Sequence, residues 1–210
     1  ACVAAFPDFA TGYYELGLTE VQLGEYGDAL AHVKRALELD DNPDWRPDLL
    51  ALRFHNGLAS KSEIQHALRT ETAPVGLATC MLALLDHSDP AQRDPQFVLD
   101  TLRDGAGLFA GAEWIWEIET VARIRIEDWN GALSALGSHF APPAVLLLTP
   151  GAFDFVRALV YARAGRGEAA RESYARGMSG WNALTGGNPA AWANSDVMRW
   201  RREAEAALPR

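Results

Sequence analysis

Asp86-His87-Ser88-Asp89 brings together the residue types of a serine hydrolase, and Glu63-Ile64-Gln65-His66 has the carboxylate-x-x-imidazole spacing of a di-iron bundle. Neither reads as a site. Consecutive side chains point in different directions, whereas the members of a triad come from separate segments. A di-iron centre needs two copies of its motif plus two further glutamates on facing helices, and one copy is present. His87 reads instead as a residue at a helix C-terminus, where positive charge is favoured, with Asp89-Pro90 opening a turn. Gly105-Ala106-Gly107 follows a helical stretch where a phosphate loop requires a strand, so its glycines end a helix. His32, His55 and His139 form no ligand set with Cys2 or Cys80, and Cys80 reads as a small core residue. The expectation is a chain without cofactor or metal, and not an enzyme.

The elements that would have to position any site follow from composition and periodicity. The 210 residues are 49% hydrophobic and 22% charged, the balance of a globular chain rather than a disordered one. A formal charge of -9 and a pI near 5.0 repel phosphate backbones and anionic lipid, which sets nucleic acid aside as a partner. The longest uncharged apolar run, Thr72 to Leu85, contains a proline and falls short of the roughly 20 residues a spanning helix needs, so no membrane insertion is expected. Two cysteines outside any C-x-x-C spacing point to a reducing, cytoplasmic setting. The opening, Ala1 to Asp8, reads as the last turn of a helix with a proline stop, as in a fragment of a longer chain.

Helical spacing dominates. Tyr13, Leu16, Gly17 and Val21 share one face, and Ala29, Leu30, Val33, Ala36 and Leu37 share another. Gly24 supplies the left-handed residue that ends the first helix, and Asp28 places a carboxylate near the start of the second. The pattern returns at Trp114–Ile126 with Ala132, Leu133 and Leu136, and at Phe155–Ala162 with Ala169, Ala170 and Tyr174. Recurrence at this scale predicts stacked helix pairs, each too small to bury its apolar face alone.

Tyr13-x-x-Leu16-Gly17, Gly24-x-Tyr26-x-x-Ala29 and Ala36-Leu37-Glu38-Leu39 resemble the tetratricopeptide repeat (TPR). Gly17 and Ala29 are small where the helices cross, and Tyr26 fills the turn. Glu20 stands where an aromatic is usual, Asp41 replaces the terminal proline, and Glu127 replaces a turn glycine. The segment Asp89-Pro-x-x-Arg93-Asp94-Pro95, the Trp114 repeat and Gly151-Ala-Phe-Asp154 together resemble TPR arrays attached to serine/threonine kinases of planctomycete-type bacteria, although no kinase motif is present.

The resemblance implies an all-α, right-handed solenoid of antiparallel helix pairs in one domain over residues 1–210. Repeat 1 falls at about 10–43, an irregular helical connection at 44–72 and repeat 2 at about 74–109. Repeat 3 follows at about 113–140, repeat 4 at about 152–179, and a helix over about 194–208, capped by Ser195, closes the array.

The first helices of such pairs line a groove, which by register holds Tyr14, Leu18, Val21 and Gln22, then Trp114, Glu117, Val121, Ile124 and Arg125, then Phe155, Leu159, Ala162 and Arg163. The lysine and asparagine of the family's terminal-carboxylate clamp are replaced by Tyr14 and Leu18, so a peptide or protein burying apolar anchors fits better than an acidic tail. Trp45 and Trp114 fall on no obvious core face, and an exposed tryptophan would be a binding anchor. The function expected is a non-catalytic interaction scaffold. The alternatives are a regulatory or peptide-sensing part of a larger kinase, and a helical enzyme drawing on His55, His66 and His87.

Overall fold

The computed structural model describes residues 6–70, 74–106, 109, 112, 114–137, 151–186 and 189–208; Cys2, Gly107 and His139 lie outside them. The described residues form eleven α-helices and three short 3-10 turns, with no strand. The helices gather into two compact units that meet in sequence at Asp94 and Pro95.

Four helix pairs turn on one device. Between α1 (Ala10–Leu23) and α2 (Tyr26–Leu39), Gly24 is left-handed at a φ of 77°. Its N–H donates to the Val21 carbonyl at 2.9 Å, and the Glu25 N–H reaches back to the Glu20 carbonyl at 2.9 Å. This paired closure satisfies carbonyls that the end of a helix leaves without partners. Between α3 (Arg46–His55) and α4 (Lys61–Thr70) the same two bonds form at Gly57 (φ 69°), from Gly57 to Phe54 and from Leu58 to Arg53. Gly24 and Gly57 are 33 residues apart, close to a repeat of about 34. The segment expected as an irregular helical connection over 44–72 therefore holds, within its described residues, a further helix pair of the same design, α3 and α4.

In the first unit α3 packs against α2 and against α5 (Pro74–Asp86), and α4 packs against α5. Ala29, Val33 and Leu52 are the buried centre of one core cluster, with Tyr14, Val21, Tyr26, Leu30, Leu37 and Leu49 around it. The α1–α2 crossing is as close as its small residues suggest: a Cβ on Gly17 would stand 2.7 Å from Val33 Cγ2 and 3.2 Å from the Ala29 carbonyl oxygen. Helix α4 starts on a capping box, in which Glu63 Oε2 accepts the Ser60 N–H at 2.8 Å while Ser60 Oγ accepts the Glu63 N–H at 3.3 Å.

The D-P-x-x-R-D-P segment ties this unit off. Asp89 Oδ1 accepts the Ala91 N–H at 2.9 Å, Arg93 Nε donates to the His87 carbonyl at 2.8 Å, and the Asp94 N–H donates to Leu84 at 3.0 Å. From α4, Lys61 Nζ donates to the Ala91 carbonyl at 2.7 Å and Gln65 Nε2 to Asp94 Oδ2 at 2.8 Å.

The second unit holds α6 (Pro95–Asp104), α7 (Ile115–Arg125), α8 (Trp129–Gly137), α9 (Ala152–Arg163), α10 (Gly167–Thr185) and α11 (Asp196–Ala207). The turn device returns at Gly165 (φ 75°) and at Glu127, which takes a φ of 60° although it is not glycine. Glu127 makes the same closure, its N–H donating to Ile124 and the Asp128 N–H to Arg123. Asp128 then caps α8, accepting the Gly131 N–H at 2.9 Å. Helix α11 is capped by Ser195, whose Oγ accepts the Met198 N–H at 3.4 Å; it packs chiefly on α9, and its Val197, Trp200 and Ala204 are fully buried.

Candidate functional site

In the first unit α1, α3 and α5 each contribute one residue to a polar string. The Tyr14 hydroxyl donates to Asp48 Oδ2 at 2.7 Å, and Thr79 hydrogen-bonds the same carboxylate. The Tyr14 ring also stacks on Trp45, with centroids 4.6 Å apart and planes 13° from parallel. Burial pushes the Asp48 carboxyl above its ordinary range, against the pull of the Tyr14 and Thr79 hydrogen bonds. Burial, then the Asp48 charge, hold the Tyr14 phenol far above its ordinary value, so it remains a donor.

Around this string the surface is mixed. Leu18 and Val21 are half-buried, Gln22 is exposed, and Glu15 and Asp44 lie on the surface close enough to act on Tyr14. Val21 packs against the Ala29–Val33–Leu52 core. The wall formed by α1 and the start of α3 thus has an apolar strip, an aromatic pair and a carboxylate rim. Asp48, Thr79 and the Trp45 stack were not foreseen. Their mutual approach is set by how helix pairs stack, which no local pattern records.

The second unit places its expected groove residues differently. Trp114, Glu117, Val121, Ile124, Phe155 and Leu159 are buried, Ala162 is half-buried and Arg163 is exposed, its guanidinium 5.5 Å above the Trp129 ring. Phe155 packs edge-on against Tyr174 at 5.4 Å, and a Cβ on Gly177 would meet its ring, so Phe155 serves the α9–α10 hairpin. Arg125 is clasped by α11: its Nη1 lies 3.0 and 3.2 Å from the two Glu203 carboxylate oxygens, and its guanidinium sits 4.4 Å over the Trp200 ring. Of the residues expected to line a groove, Tyr14, Leu18, Val21 and Gln22 remain together with accessible surface. Trp45 and Trp114 are both buried, so neither is an exposed anchor.

The histidines have structural surroundings. The rings of His55 and His87 stack at 5.4 Å and those of His55 and Tyr26 at 4.3 Å. His87 Nδ1 accepts the Asp89 N–H at 3.1 Å, which makes Nε2 the protonated nitrogen, donating to the Phe54 carbonyl at 3.3 Å. A cleft of about 910 Å³ opens beside it, bordered by Phe54, Leu58, Lys61, His87, Asp89 and Gln92. Three of its polar groups are already engaged: Lys61 holds backbone carbonyls, Asp89 caps a turn and His87 bridges two backbone groups. His66 is exposed on α4, and Glu63 is committed to its capping box. Among the described residues no group of three or more His, Cys, Asp or Glu is placed to hold a metal ion, and no helix is long and apolar enough to cross a membrane.

No curated protein and no solved structure matches the chain. Residues 10–43, the α1–α2 hairpin with its following turn, match the family model of the tetratricopeptide repeat. Such repeats generally mediate contacts between proteins. With this repeat at its start and helix pairs of the same turn design after it, the chain has an all-α, TPR-like helical-repeat fold.

Proposed function

We propose that the chain is a non-catalytic interaction module that holds a peptide or protein segment along the first-unit wall of Tyr14, Leu18, Val21 and Gln22. The observation that supports this reading is the contrast between equivalent positions. Tyr14, Glu117 and Phe155 each stand ten residues before a left-handed turn residue, yet Glu117 and Phe155 are fully buried while Tyr14 and its neighbours keep exposed surface. The second unit is then a support whose groove positions are spent on its own packing. In the setting implied by the D-P-x-x-R-D-P resemblance, the module would bring a substrate or regulator to a cytoplasmic kinase.

The test is site-specific photo-crosslinking. A photoreactive phenylalanine analogue at Leu18 or Gln22 should capture a discrete partner from the native cytosol, while the same group at Lys34, exposed on α2, should not. Equal capture from Lys34, or capture from neither wall position, would place the binding surface elsewhere.

A further inference from the structure

The chain's negative charge is concentrated in one unit. Residues 1–94 hold fifteen Asp and Glu against seven Lys and Arg, whereas residues 95–210 hold thirteen against twelve. Within the first unit, α1 and α5 contain no Lys, Arg or His at all. Helix α3 has two arginines, and both are occupied: Arg46 Nη2 donates to both Asp41 oxygens at 2.8 and 2.9 Å, and Arg53 donates to the Leu58 carbonyl at 3.1 Å. Lys61 and Arg93 are likewise held by backbone carbonyls.

The carboxylates beside Tyr14 are in a different condition. Asp44 and Glu15 are exposed, Asp48 is half-buried, and among the described residues none of the three takes part in an ion pair. Asp48 is held only by neutral donors, the hydroxyls of Tyr14 and Thr79. A carboxylate removed from water gains from an approaching cation more than an exposed one does, because the field between them is less screened. All three carboxylates act on Tyr14, which shares its face of α1 with Leu18 and Val21 at i, i+4 and i+7, on a helix whose main packing partner is α2. The face thus offers an apolar strip to one side of an amphipathic segment and an anionic rim to the other.

Resting on the reading of this wall as the binding surface, we infer that its occupant is a basic amphipathic segment, with apolar side chains over Leu18 and Val21 and a lysine or arginine against Asp44 and Asp48. An acidic segment would meet like charge along the rim, where Arg46, the arginine between Asp44 and Asp48, is already paired with Asp41. A neutral one would leave the Asp48 carboxylate desolvated further and without a counter-charge.

The test uses the full chain and three fluorescein-labelled helical peptides that share one leucine stripe and carry Arg, Gln or Glu on the opposite face. By anisotropy the Arg peptide should bind about tenfold tighter than the Gln peptide, the Glu peptide should bind most weakly, and the preference should shrink as salt is raised. Asp44→Asn with Asp48→Asn should cost the Arg peptide about tenfold and cost the Gln peptide nothing, leaving it bound as well or slightly better, and Asp44→Asn alone, at an exposed side chain, should cost the Arg peptide about threefold. Glu25→Gln with Asp28→Asn removes the same charge at the hairpin turn and should change Arg-peptide affinity less than about twofold. An equal loss from that control pair would mean a diffuse field rather than a site and would overturn the inference, as would equal affinity for the three peptides. Leu18→Ser separates the two levels of the argument. If it weakens all three peptides while their affinities stay equal, the wall stands and the charge preference falls; if it changes nothing, the wall reading falls as well.

Discussion

Glu20 Oε2 lies 2.7 Å from His32 Nδ1, joining a carboxylate that is 9% exposed on α1 to an imidazole on α2. Glu20 stands where repeats of this family carry an aromatic, and the pair, with Tyr13 stacked on the imidazole at 5.9 Å, occupies that place. Removing His32 would leave a buried carboxylate without its hydrogen bond. His32→Ala should therefore destabilise the first unit by about 1–3 kcal/mol in urea unfolding. Pairing the change with Glu20→Leu should recover most of the loss, since an apolar pair needs no partner. If the double variant is no better than His32→Ala alone, the pair is not what makes the substitution costly.

The left-handed Glu127 predicts a gain. A residue with a Cβ held at φ 60° costs roughly 1 kcal/mol relative to glycine. Glu127→Gly should accordingly raise the melting temperature of the second unit, while Gly165→Ala, at a φ of 75°, should lower it by a similar amount. Thermal unfolding followed by circular dichroism reads both, and a loss on Glu127→Gly would count against the turn geometry.

At the α1–α2 crossing the expectation is steric. Gly17→Ala drives a methyl to within 2.7 Å of Val33 Cγ2 and should cost about 1–3 kcal/mol. Val33→Ala in the same chain should relieve part of that cost, although the Ala29 carbonyl at 3.2 Å limits the relief. A double-mutant cycle with no coupling between positions 17 and 33 would refute the proposed contact.

Two aspartates should respond to pH in opposite directions. The Gly131 backbone N–H and then the Arg123 guanidinium, 2.7 Å away, hold the Asp128 carboxyl below its ordinary range. Its contribution is complete above the unfolded carboxyl value near 3.9 and is lost as pH falls through the lower folded value. Asp48 is raised by burial, so the folded chain binds the extra proton and stability falls as pH rises from the unfolded value through the folded one. Asp128→Asn should therefore destabilise most at neutral pH, by about 0.5 kcal/mol given its exposure. Asp48→Asn should be neutral or stabilising there, and both differences should vanish in strong acid. Urea midpoints between pH 3 and 7 distinguish these signs.

Much of the scaffold could be read from spacing. Gly24, the small residues at 17 and 29, and the Ser195 cap appear in the structure in the roles their sequence context suggests. The second helix pair was harder to see. Helical spacing is present over residues 47–54 and 62–68, but the signal that makes these helices a repeat pair, Asn56-Gly57 following Gly24 by 33 residues, is a distance rather than a motif. Asn56 also donates from Nδ2 to the Tyr26 carbonyl at 2.9 Å, fixing α3 to its predecessor.

The wall was legible as a set of positions and not as an environment. Register gives the angle at which Tyr14, Glu117 or Phe155 leaves its helix; it does not say what packs over that angle. Arg125 shows this most directly, since its partners Trp200 and Glu203 lie more than seventy residues downstream. Asp48 shows the converse, a charge that looks solvated in sequence and is drawn inward by hydroxyls on two other helices.

The clasp at the D-P-x-x-R-D-P segment bears on how the gene could be rearranged. Its bonds from Lys61 to Ala91, from Gln65 to Asp94, from Arg93 to His87 and from Asp94 to Leu84 close upstream of Pro95. Recombination at that peptide would therefore carry away Tyr14, Asp48 and Thr79 together with these four bonds, as one stretch of sequence.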